Sequence, residues 1–262
     1  MSDAVLYAVH DRVALITLNR PANRNSMTSE LLDGFARAAK HAAADRDVRS
    51  VVVTGTGKCF SAGADLKAQL QREDDGPMRL PHERSYAMYE PFLELVDVEV
   101  PVVGALNGHT VGGGFGLSLL CDIRVAAKDA KYGANFCRLG LAPGMAITYT
   151  LPRVVGPQRA AELLYTGRLF DGDEGVSLGY ALRSLPPEDV LPEALVIARA
   201  IAASAPHAVR QTKIMLRRSL GYDPRAHAAL EAYVQAETVT TDDAREGVAA
   251  LLEKRDPTFT GR

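Results

Sequence analysis

A chain of 262 residues, 47% hydrophobic and with a net charge of -2, holds enough apolar material for one substantial core, with room for a small appended region. The near-balanced charge gives no field that would draw nucleic acid or an acidic membrane, and the short basic groups Arg20 with Arg24 and Arg217 with Arg218 read as solvated faces. Three cysteines, Cys59, Cys121 and Cys137, show no disulfide-framework or metal-ligand spacing, so no metal site is expected and a reducing cytoplasm fits. The start of the chain lacks the basic and long apolar regions of a secretory signal, and no run approaches the length of a membrane span.

In chain order, Val5 to Val9 and Val13 to Leu18 alternate apolar with polar residues around His10-Asp11-Arg12, which predicts a hairpin with one buried face. A helix is predicted from Thr28, the capping residue, with Leu31, Leu32, Phe35, Ala38, Ala39 and Ala42 on one stripe. Val51-Val52-Val53 reads as a buried strand, and the sequence strand, helix, strand implies a parallel crossover that Val102 to Leu106 repeats. Short strands follow at Ile123 to Ala126 and Lys131 to Gly133, then a turn around Pro143-Gly144. Pro157 and Gly167 bracket a helix, and further helices are predicted over Val190 to Ala203, His207 to Leu220, Pro224 to Thr240 and Asp242 to Glu253. The reading is an α/β core over residues 1–190 and a helical C-terminal region over 191–262.

Two glycine-bearing segments carry the chemistry: Phe60-Ser61-Ala62-Gly63-Ala64-Asp65-Leu66 and Asn107-Gly108-His109-Thr110-Val111-Gly112-Gly113-Gly114-Phe115-Gly116. A phosphate loop beginning at Gly55-Thr56-Gly57-Lys58 fails, because Phe60 stands where its third glycine belongs and Cys59 breaks the Gly-Lys-Ser/Thr ending. Ser61 lacks the partner glycine of a nucleophile elbow. Small residues at 61–64 instead let a ligand approach the backbone, or simply make a tight turn. Three glycines opening the amphipathic run Phe115 to Leu120 place bare N–H groups at a helix N-terminus, where negative charge is favoured. In order and about fifty residues apart, the two segments suit a pair of donors aimed at one developing oxyanion.

These segments, with Leu18-Asn19-Arg20-Pro21, Asn25, Pro101-Val102-Val103, Cys121-Asp122, Leu139-Gly140-Leu141-Ala142-Pro143-Gly144 and Tyr165-Thr166-Gly167, make nearly the whole chain resemble the crotonase superfamily, or enoyl-CoA hydratase/isomerase family. The resemblance implies a spiral of ββα units, a C-terminal helical region that takes part in trimer formation, and a homotrimer or dimer of trimers. It implies an acyl-CoA thioester as substrate, with coenzyme A part of that substrate and no separate cofactor. It places the oxyanion hole at the backbone N–H groups of Ala64 and Gly113, and Ala62 along the bound CoA. Asp65, Leu66 and Gly144 fall at positions bordering the substrate, although Asp65, like Asp122, matches a position used mainly for structure.

The chain departs from the resemblance at Gly116 and Phe136, where hydratases of this family carry their two glutamates. Water addition needs groups that deprotonate water and protonate the α-carbon, which Gly and Phe cannot do. Decarboxylation, C–C cleavage or lyase chemistry is expected in place of hydration, with a non-catalytic acyl-CoA-binding or scaffolding protein as the alternative. His109 has two readings, a base titrating near neutral pH or a side chain that hydrogen-bonds its turn. Asn135 orients a substrate oxygen or caps backbone. Cys59 and Cys137 read as small buried hydrophobes, His82, Glu83 and Tyr86 as a solvated helix face or a substrate entrance, and Arg210 and Lys213 as cations that could meet CoA phosphates.

Overall fold

The computed structural model describes residues 4–64, 80–219 and 223–262. Strands β1 (Val5–His10) and β2 (Val13–Leu18) pair antiparallel with Val5 opposite Leu18 and His10 opposite Val13. Asp11 (φ 50°) and Arg12 (φ 65°) supply the left-handed two-residue turn whose twist suits a hairpin. Helix α1 (Ser29–Ala44) starts at Thr28, whose Oγ1 accepts the Leu31 N–H at 3.3 Å, and it buries all six residues of its predicted stripe. Burying side chains the size of Leu31 and Phe35 stabilises by about 1.5 to 3 kcal/mol each.

The chain then runs through β3 (Ser50–Gly55), β4 (Cys59–Ser61), α2 (Pro81–Leu93), β5 (Val102–Leu106), β6 (His109–Val111), α3 (Gly113–Leu120), β7 (Ile123–Ala127) and β8 (Tyr132–Gly133). Helices α4 (Ile147–Val155), α5 (Pro157–Thr166) and α6 (Gly172–Ser177) lead to β9 (Arg183–Leu185). Helices α7 (Pro187–Ala202), α8 (Pro206–Ser219), α9 (Pro224–Val239) and α10 (Asp242–Glu253) follow. The six-stranded sheet has the order β1-β2-β3-β5-β7-β9, parallel from β2 onward, and a second parallel sheet has the order β4-β6-β8. Each pair β3/β4, β5/β6 and β7/β8 gives one strand to each sheet, which is the spiral of repeated units expected from the sequence.

Val51, Val52 and Val53 are fully buried, with α7 packed across β3 and the small-sheet strand β4 also against it. Phe115, Tyr132, Phe170 and Tyr180 pack ring to ring, with centroids 5.1 to 5.9 Å apart, behind the second glycine segment. The Pro186-Pro187 boundary starts α7, which packs across β3, β5 and β7, so this first helix of the C-terminal part belongs to the sheet it follows. Helix α8 is anchored by Lys213, whose Nζ donates to the Val100 carbonyl at 2.6 Å and meets the Asp122 carboxylate at 2.9 Å. Burial lowers the pKa of that ammonium, and the Asp122 carboxylate opposes the shift.

Cys137 corrects the sequence reading: it is exposed, because it lies in the 3-10 turn Phe136–Leu139 at the surface. Cys59 and Cys121 are buried, and burial raises both thiols, Cys121 to about 12. Since the thiolate is the reactive form, a thiol reagent applied to the native protein should modify Cys137 alone. The other two should react only after unfolding, as counted by mass spectrometry; native labelling of Cys121 would show that the core opens at α3.

Candidate active site

The β2–α1 connection holds the first glycine segment in place. Asn25 is fully buried; its Nδ2 donates to the carbonyls of Cys59 (2.8 Å) and Thr56 (3.1 Å), and its Oδ1 accepts the Arg20 N–H at 2.7 Å. The Ala62 N–H donates to the Arg24 carbonyl at 3.0 Å, and the Met27 N–H to the Gly63 carbonyl at 2.9 Å. Ser61 is spent on structure, with its Oγ donating to the Asn25 carbonyl at 2.8 Å and accepting the Gly63 N–H at 3.2 Å. No nucleophile is left there.

The two glycine segments lie directly against each other. Gly63 adopts φ +80°, and a Cβ on it would lie 2.7 Å from the Val111 carbonyl oxygen and 2.8 Å from the Gly113 nitrogen. A Cβ on Gly114 would overlap the Ser61 carbonyl oxygen, and one on Gly113 would overlap the Met27 sulfur. Gly112 (φ +57°) turns β6 into α3, and the first intrahelical bond runs from the Gly116 N–H to the Gly112 carbonyl at 3.1 Å. The N–H groups of Gly113, Gly114 and Phe115 therefore have no acceptor within the helix. Ala64 follows Gly63 as the last described residue of its loop, and Asp65 and Leu66 lie outside the described residues. Such a helix start, buried along its whole length, can stabilise negative charge on an incoming oxygen.

The surroundings of Gly116 and Phe136 are filled by carbon. A Cβ on Gly116 would overlap the Cβ of Met145 and lie 3.3 Å from Ile147 Cγ1. Met145 (φ 55°) and Ala146 (φ 52°) form the left-handed turn that presses this side chain onto α3. The Phe136 ring tip lies 3.9 Å from where a Cβ of Gly112 would stand. Gly144 packs under the phenol of Tyr89, which occupies the place of its missing Cβ. Neither Met145 nor Tyr89 stands out in the sequence, since only tertiary packing brings them to the glycines.

His109 accepts the Lys131 N–H on its Nδ1 at 3.0 Å, which spends the lone pair that a base would use. It lines a cleft of about 810 Å³ with Ala62, Arg24, Lys58, Lys131 and Pro21. Arg24 is exposed, as its solvated-face reading expects, and it lines this cleft with two lysines beside Ala62. Lys213 is committed to Val100 and Asp122 and is not a free cation; Arg217 likewise meets Asp122, at 3.6 Å, and Arg210 lies half-buried on the same helix. Asn135 precedes the 3-10 turn without a side-chain cap, and its carbonyl accepts the Arg138 N–H at 3.1 Å. On α2, Glu83 accepts the Leu80 N–H at 2.8 Å, and His82 and Tyr86 are exposed. Among the described residues no three His, Cys, Asp or Glu side chains gather as metal ligands, and no helix is long and apolar enough to cross a membrane.

The sequence profile of the enoyl-CoA hydratase/isomerase family matches residues 9–262. YngF of Bacillus subtilis, a candidate enoyl-CoA hydratase/isomerase by name, is 36% identical over 264 residues, covering 100% of both chains. The crotonyl-CoA hydratase of Syntrophomonas wolfei is 33% identical over 261 residues, covering 98% of each. The crystal structure of enoyl-CoA hydratase from Bacillus anthracis superposes with a TM-score of 0.92 at 31% identity, covering 99% of this chain and 100% of that one.

Inserting a carboxylate at position 116 tests the packing at α3. Gly116→Glu should lower the melting temperature by several degrees, since overpacking of this kind costs about 1 to 3 kcal/mol. Adding Met145→Gly, which suits the positive φ there, should recover part of the loss. A fully stable Gly116→Glu protein would mean that Met145 yields freely.

Proposed function

Because the chain belongs to the enoyl-CoA hydratase/isomerase family, we propose that it holds the thioester oxygen of an acyl-CoA between the backbone N–H groups of Ala64 and Gly113 and converts it by a reaction other than hydration. The observation that carries this reading is the pairing of intact, mutually packed glycine segments with carbon-filled positions at Gly116 and Phe136. When the carbon next to a thioester becomes carbanion-like, charge moves to the carbonyl oxygen, and two preorganised donors there lower the barrier whatever bond is broken. Loss of CO₂ from a β-carboxylate breaks the C–C bond and leaves its electron pair on the substrate as that enolate with no base needed, whereas water addition needs a group that deprotonates water. The cationic cleft beside Ala62 suits the phosphates of the CoA moiety, with coenzyme A entering only as part of the substrate. Asn135 and Gly144 border the acyl end, and His109 takes no part in the chemistry. Exposed Leu216, Tyr233, Leu251 and Leu252 on α8 to α10 favour a homotrimer built through the C-terminal helices.

A substrate panel checks the reading. Incubated with crotonyl-, 3-enoyl-, malonyl- and β-ketoacyl-CoA, the protein should turn over a malonyl- or β-ketoacyl-type thioester and leave crotonyl-CoA essentially unhydrated, as followed by mass spectrometry. Rapid crotonyl-CoA hydration would overturn the claim about Gly116 and Phe136, and binding without any turnover would favour the non-catalytic alternative. In a Met27→Ala background, which clears the sulfur from Gly113, Gly113→Pro removes the proposed donor. It should lower turnover about 100- to 1,000-fold relative to Met27→Ala alone.

A further inference from the structure

Around the two carboxylate positions the wall presents almost nothing but carbon: Phe136 above Gly112, and Met145 and Ile147 against Gly116. Tyr89 brings a hydroxyl to it. Its phenol, on α2, packs half-buried against the core, with Cζ 2.5 Å from the position a Cβ of Gly144 would take and the hydroxyl closer still. Only a residue without a side chain at 144 lets the ring close onto the backbone there, so Gly144 and Tyr89 are fitted to each other. Gly144 immediately precedes Met145, and α2 packs on α3, which places the hydroxyl on the same wall as the absent acid and base. Among the described residues this hydroxyl makes no hydrogen bond.

We propose that Tyr89 determines acyl specificity: its hydroxyl donates a hydrogen bond to an oxygen on the acyl group, so that the site takes CoA thioesters of short β-oxygenated acyl chains over saturated ones. The proposal rests on the acyl-CoA reading above. A hydrocarbon chain laid against the phenol strips water from the hydroxyl and returns nothing, whereas a β-oxygen replaces the lost partner. Sites that hold one unpaired polar group in apolar surroundings discriminate strongly against ligands lacking its complement. The contact at Gly144 fixes the ring, so the donor is positioned before the ligand arrives.

Calorimetric titration of the intact protein with acetoacetyl-CoA, butyryl-CoA and free CoA tests this. The wild type should bind acetoacetyl-CoA about tenfold more tightly than butyryl-CoA, one hydrogen bond's worth. Tyr89→Phe should shrink that preference to within about twofold while leaving the affinity for free CoA unchanged. Gly144→Ala, which displaces the ring and keeps the hydroxyl, should reduce the preference as well, and it stands in should Tyr89→Phe fold poorly. A preference that survives in both variants, or is absent from the wild type, overturns the role of Tyr89 while the acyl-CoA reading stands. Failure of the wild type to bind any of the three compounds overturns that reading and this proposal with it.

Discussion

Everything at the candidate site depends on one close approach of backbone to backbone, Gly63 against the Val111 carbonyl and the Gly113 nitrogen. Polar main-chain groups come this near only where side chains are absent and where the flanking N–H and C=O groups have partners elsewhere. Asn25 supplies those partners for the first segment, reaching the Thr56 and Cys59 carbonyls and the Arg20 N–H, while the small sheet β4-β6-β8 holds the second segment beside it. The residues before α1, far from the glycines in sequence, are therefore part of the site's foundation.

The two ends of α3 are treated differently. At its C-terminal end the Arg124 guanidinium is buried, donating to the Cys121 carbonyl at 2.5 Å and the Ser118 carbonyl at 3.4 Å, so the negative pole is answered inside the protein. At the N-terminal end three glycine-rich N–H groups have no such internal answer within the helix. In the proposed reading the substrate oxygen supplies it. Filling the neighbouring positions with Met145, Ile147 and Phe136 keeps that end in low-polarity surroundings, where each donor counts for more than it would in water.

Much of the fold was legible in the chain. Helix α5 runs from Pro157 to Thr166 with Gly167 in the left-handed region, as the proline and glycine foretell, and the stripe from Leu31 to Ala42 faces the core. Three-residue strands such as β4 and β6 were not legible, because their periodicity is too short to stand out. At the site, the glycines were visible because they answer a local backbone need. What fills the space around them was not: Met145 and Tyr89 are ordinary residues that acquire meaning only through contacts across the fold. Charge was equally illegible, since a lysine looks the same in sequence whether solvated or, like Lys213, sealed against Asp122.

Asp122 has a consequence for chain topology. One of its oxygens accepts the N–H of Val102 at 2.8 Å, so a single carboxylate just beyond α3 reaches back to the first residue of β5. The intervening stretch, which carries the glycine triplet at its middle, becomes a loop closed at its neck, and Lys213 and Arg217 hold the closing carboxylate from α8. Glycines give a chain its widest freedom, and a tethered loop has far fewer ways to spend it. The glycine triplet is thereby kept in register by a polar clasp that never touches it.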